Sequence, residues 1–188
     1  MMTAPDKGFS LIEVLVTIVI LVIGLLGLAG LQFRALTSQM ESYQRSQALI
    51  LLKDMADRID DNRANAAAYM TTGLSPAYLG TSAPTCTSTG AGVAGVAGDL
   101  CEWNNELLGA AEVDSAGNKV GAMIGARGCV YQITAAAIGV PGQYLVAVAW
   151  QGLNPTAAPA VNCGQGSYGS NDALRRAVTL PITIAILK

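Results

Sequence analysis

The sequence predicts an α+β protein in which a long N-terminal helix packs on a C-terminal antiparallel β-sheet. Three observations carry this. Residues 14–31 form an uncharged apolar run. Apolar residues at three- and four-residue spacing continue past it, with no proline between Thr17 and Leu74. The last third of the chain then alternates apolar and polar residues at the two-residue period of strands.

The apolar run comes first. Thr17 is its one conventionally polar side chain, and counting from Phe9 gives a segment long enough to span a membrane. The start, from Met1 to Lys7, is short and hardly basic, and the run leads into a charged helical pattern, so cleavage as an ordinary signal peptide fits poorly. Glu13 stands at its edge. A carboxylate in a membrane helix costs about 2.5–3.5 kcal/mol, so a partner or a function is expected. No cation of the run reaches it. A cut between Gly8 and Phe9 would supply one, by freeing an α-amino group one helical turn from Glu13 or on a neighbouring chain.

The string Lys7-Gly8-Phe9-Ser10-Leu11-Ile12-Glu13, followed by an apolar run, resembles the signal of type IV pilins and type II secretion pseudopilins. The resemblance implies a pilin-like fold and a membrane peptidase that cuts after Gly8 and methylates the new N-terminus, Phe9. It also implies that Glu13 governs docking into a growing filament. Gly24, Gly27 and Gly30 lie close to one helix face, which reads as close helix packing or as a weak point in the helix.

Beyond Arg34, the residues Leu36, Met40, Tyr43, Ile50, Leu51 and Met55 recur on one broad face, which predicts the face that meets the sheet. One helix from about Phe9 to about Asn65 would be about 85 Å long. The predicted organisation is a leader at 1–8, a membrane or filament-core half at 9–31, an amphipathic half at 32–66 and a globular domain at 67–188. Asp54-Met55-Ala56-Asp57-Arg58-Ile59-Asp60-Asp61-Asn62-Arg63-Ala64-Asn65 reads physically as a solvated helix end. It is also similar to a stretch of the minor pilin family of pilus modification protein PilV. Asp99, Trp103 and the leucines after it add to that likeness.

Residues 71–98, rich in Gly, Ala, Ser and Thr, read as an irregular loop. Asp99 is the expected cap of a short helix over residues 100–108 ended by Gly109, with Trp103 and Leu107 facing the core. Cys129, Tyr131 and Ile133 share a face of one predicted strand, and Tyr144, Val146, Val148 and Trp150 share a face of the next, after a turn signal at 139–142. Val178, Leu180, Ile182, Ile184 and Ile186 alternate in the last, where Pro181 predicts an edge or a bulge.

Cys86, Cys101, Cys129 and Cys163 are even in number, widely spaced and without a C-x-x-C pair, which reads as two disulfides in an oxidising compartment. Of three pairings, Cys86–Cys101 and Cys129–Cys163 each close a neighbouring loop and are expected; four buried free thiols are the alternative. The chain has no histidine and no phosphate-binding glycine loop, so no catalytic site, metal or other cofactor, or small-molecule substrate is expected. Beyond residue 70 there are five basic residues and six acids, so no electrostatic case for nucleic acid arises.

The resemblance implies a non-enzymatic minor pilin of a type IVa pilus that primes assembly. Its implied partners are prepilin peptidase, other minor pilins and the major pilin. It would cross the inner membrane once, with the C-terminal domain in the periplasm, before entering the pilus. A minor pseudopilin of type II secretion, or a tip subunit binding a surface or DNA through the 152–172 loop, are the alternative readings.

Overall fold

The computed structural model describes residues 8, 10–72, 77–81, 95–109, 115–116, 121 and 123–185. Its elements are α1 (Leu11–Asp61), a 3-10 segment (Arg63–Tyr69), α2 (Val96–Leu107), β1 (Arg127–Thr134), β2 (Gly142–Gln151), a short 3-10 turn (Ser170–Asp172) and β3 (Arg175–Ile184). The chain divides into two compact units, residues 1–40 and residues 41–188.

In the first unit the described apolar side chains are exposed from Leu11 through Phe33. Among the described residues α1 is the one helix long and apolar enough to cross a membrane.

In the second unit, β1, β2 and β3 form an antiparallel sheet in that order. One face carries Val130, Tyr144, Val146, Val148 and Trp150, which pack with Leu52, Met55 and Ile59 of α1 and Trp103 and Leu107 of α2. Gly128 of β1 lies under α2, and a Cβ there would collide with the Trp103 ring and Leu107. The inward face of α1 differs from the sequence expectation. Gln44, Ala48, Leu52, Met55, Ala56 and Ile59 are buried, whereas Leu36, Met40, Tyr43 and Ile50 are exposed. Ala48 belongs to the core cluster, and Leu51, of the predicted face, packs partly buried against it.

α1 ends at Asp61, short of the predicted Asn65, because Asn62 leaves the helical region (φ −109°, ψ 41°) before the 3-10 segment begins. α2 begins at Val96, inside the stretch expected to be loop. Its first residue follows Gly95, so Asp99 is not its cap; Asp99 turns its carboxylate to Tyr69 instead. The predicted termination holds, with Gly109 at φ +79°, where a side chain would be strained.

The second face of the sheet is also covered, which the sequence did not lead one to expect. The loop between β2 and β3 folds over Cys129, Ala147 and Ala149 and buries Cys163 and Tyr168 there. Small residues on β2 admit the loop. Ile133, expected to share a face with Cys129 and Tyr131, is exposed, and it falls at the irregularity in the β1–β2 register between Gln132 and Thr134. The hairpin turn also lies earlier than the 139–142 signal: Ala137 and Val140 exchange two backbone hydrogen bonds of 3.0 Å around Ile138 and Gly139.

Both outer strands are edges, but they differ. Gly128 of β1 exchanges backbone bonds with Leu79, and the Val130 carbonyl accepts from the Thr71 amide at 3.0 Å. On β3, the Gly152 amide donates to the Leu174 carbonyl at 2.7 Å, which fixes the phase of the ladder. Antiparallel alternation then points the even-numbered residues of β3 at β2 and the odd ones outward. Pro181 is odd, so its missing amide faces away from the sheet, where it costs the ladder nothing. The last residue of the predicted alternation, Ile186, lies outside the described residues.

Candidate functional site

Glu13 lies in the first turn of α1, and its backbone amide donates to the Ser10 carbonyl at 3.0 Å. The side chain is exposed, as are Gly8 and the apolar residues that follow. A carboxylate thus stands at the head of the exposed apolar part of α1, from Leu11 through Phe33. Negative charge is favoured at a helix N-terminus, which accommodates Glu13 in water but does not remove its cost in lipid. Phe9, the expected new N-terminus, lies outside the described residues. Gly24, Gly27 and Gly30 face open space.

The second grouping was not anticipated as one. The 54–63 stretch, read as a solvated helix end, holds α2 in place. Arg58 Nε donates to Asp54 Oδ2 at 2.8 Å, Nη1 to Glu102 Oε2 at 2.7 Å and Nη2 to Glu106 Oε1 at 3.1 Å, with Asp99 Oδ1 at 3.6 Å. Tyr69 donates its hydroxyl to Asp99 and accepts from Asn62 Nδ2 at 3.1 Å. Trp103 Nε1 donates to the Leu51 carbonyl at 2.9 Å, so α2 is also hydrogen-bonded to the backbone of α1.

Burial opposes the Arg58 charge, yet the hydrogen bonds to Glu102 and Asp54 and the charges of Asp54 and Glu106 outweigh it. The guanidinium is held above its usual range. Burial also pushes Tyr69 up to about 12, helped by its bond to Asp99. Glu106 is pushed up to about 7 by burial and by the charge of Asp54, against the pull of Arg58. An excess of acids over bases was visible in the sequence; their convergence on one arginine was not.

The third grouping fixes the 152–172 loop. Cys129 and Cys163 form a disulfide with a Cα separation of 5.8 Å. Arg175, buried, donates to the carbonyls of Pro159 and Cys163 at 3.1 Å each and to that of Val161. Its Nε lies 3.4 Å from buried Asp172, which accepts from the Gly166 amide at 2.9 Å. Tyr168 donates to the Gly125 carbonyl at 2.8 Å, and burial raises its hydroxyl above the usual range. Cys101 is disulfide-bonded as well. Cys86, its expected partner, lies outside the described residues, and so does that pairing.

No cluster of three or more metal-ligating side chains occurs among the described residues.

Two family models match the chain. The prokaryotic N-terminal methylation motif matches residues 4–29, and the model described as type IV pilin Tt1218 matches residues 30–103. No curated protein and no solved structure matches it. The first match covers Gly8, Phe9 and Glu13; the second takes in the 54–63 stretch and the first part of α2. The motif implies processing by prepilin peptidase and assembly with other pilins, and the apolar helix a membrane anchor before incorporation. With a long N-terminal helix followed by an antiparallel sheet, the chain belongs to the type IV pilins, structural subunits of a pilus or pseudopilus.

Proposed function

We propose that this pilin is a minor subunit of a type IVa pilus, of the PilV kind, that initiates assembly together with other minor pilins below the major pilin. Prepilin peptidase cuts after Gly8 and methylates Phe9. The subunit crosses the inner membrane once, with its domain in the periplasm, and Glu13 then sets its register against the neighbouring N-terminus. It acts by assembly rather than by catalysis, without nucleic acid as a partner.

The single observation that carries the assembly role is Glu13, alone at the head of an exposed apolar helix. In lipid that carboxylate is costly until a cation reaches it. A free α-amino group on Phe9 of a neighbour meets the need. The pilus reading over the secretion reading is supported by the Asp54–Arg58 stretch, whose likeness to PilV proteins coincides with its role in holding α2. The 152–172 loop is pinned from within by Cys163, Tyr168 and Arg175, which supports a structural part over a ligand-binding one.

Deleting the gene and scoring surface pili and protein secretion separately tests the reading. Loss of pili with secretion intact is expected; lost secretion with normal pili would select the pseudopilus instead. Mass spectrometry of the mature protein should find methylated Phe9 as the first residue.

A further inference from the structure

Arg58 is one cation among four carboxylates. Asp54 of α1 and Asp99, Glu102 and Glu106 of α2 all lie within 3.6 Å of its guanidinium. One positive charge satisfies one carboxylate; the remaining three repel one another across the joint between the two helices. Among the described residues no second cation forms an ion pair with them. Lys53 of α1 pairs with Asp57, Arg63 at the start of the 3-10 segment pairs with Asp60, and Arg127 of β1 directs its guanidinium to the Gly80 carbonyl and the Tyr78 ring. From the 3-10 segment, Tyr69 contributes a hydroxyl whose proton is already committed to Asp99.

We propose that the α1–α2 joint is a proton-dependent clamp, in which a proton held on Glu106 relieves the excess of carboxylates around Arg58 and tightens α2 against α1. Glu106 is the natural holder. Asp99 is more enclosed, at 26% side-chain exposure, but it accepts the Tyr69 hydroxyl, which favours its charged form. Of the other three Glu106 is the most enclosed, at 32% against 35% for Asp54 and 66% for Glu102, and its contact to Arg58 is the longest. The two shorter bonds leave Arg58 satisfied when Glu106 is neutral.

The direction follows from linkage. With the carboxyl of Glu106 raised from 4.5 to about 7 in the folded protein, the folded state binds more protons than the unfolded one between those values. The stabilisation is fully present below 4.5 and is lost as pH rises through about 7. Between pH 6 and pH 8 the unscreened shift amounts to about a tenfold change in the opening equilibrium of α2, and solvent screening reduces it to about three- to tenfold.

Hydrogen exchange of the full-length protein in detergent micelles tests this, with protection factors for the α2 peptide referred to those of β2. Wild-type α2 should lose about three- to tenfold in relative protection from pH 6 to pH 8. Glu106→Gln, which mimics the protonated carboxyl, should hold it constant within twofold, while Glu102→Gln keeps the wild-type slope. A flat wild type, an unchanged slope in Glu106→Gln, or a slope abolished by Glu102→Gln instead would each overturn the clamp. None of these results depends on which filament the subunit enters.

Discussion

At the scale of single residues, Glu13 and Gly128 illustrate two kinds of constraint. In the proposed docking role, Glu13 matters for a cation that the described residues of its own helix do not bring to it. Glu13→Ala removes a charge from the membrane segment, so insertion and cleavage should proceed normally or better. Incorporation into filaments should fall severalfold, as read by pilin content of sheared pili; unchanged piliation would count against the docking role. Gly128 matters for a neighbour it cannot avoid. Trp103 and Leu107 occupy the space a side chain would take. Gly128→Ala should therefore cost about 1–3 kcal/mol of stability by overpacking, seen as a lowered midpoint of urea unfolding, without affecting cleavage of the leader.

At the scale of elements, α2 is attached to α1 by one buried aromatic and one charge cluster. Trp103→Phe keeps most of the apolar contact but removes the second donor to the Leu51 carbonyl, which keeps its helical bond within α1. A loss of about 1 kcal/mol in the unfolding free energy is expected, and a loss near zero would mean that water replaces the indole. Much of this architecture was legible in the sequence. The apolar run, the long proline-free helix, the alternation in β2 and β3 and the edge position of Pro181 each rest on local chemistry with one dominant reading. What escaped the sequence depends on distant contacts. The inward face of α1 was misread because periodicity ranks large apolar residues first, whereas small Ala48 and polar Gln44 are among the residues the fold buries. The helix at Val96 was hidden in an Ala- and Gly-rich stretch that resembles a loop by composition. Arg58 and its carboxylates are split between segments more than forty residues apart, so no window of sequence holds the cluster. The motif around Gly8 and Glu13, by contrast, is legible as a motif because its residues are contiguous in sequence.

At the scale of the whole molecule, the domain is a sheet covered on both faces, by helices on one and by its own 152–172 loop on the other. The loop has little regular structure, and its order comes from Arg175, Tyr168 and the Cys129–Cys163 bond. By the chain-entropy model, a disulfide across 34 residues contributes about 3–4 kcal/mol, so reduction should lower the unfolding midpoint strongly. The same bond spans all of β2, since Cys129 precedes that strand and Cys163 follows it. A single protease cut in the exposed 154–160 segment therefore severs the backbone without separating the pieces. On a gel the nicked subunit should migrate as one species until a reductant is added, and then as two. A filament subunit can in this way be cut once and still remain one covalent molecule.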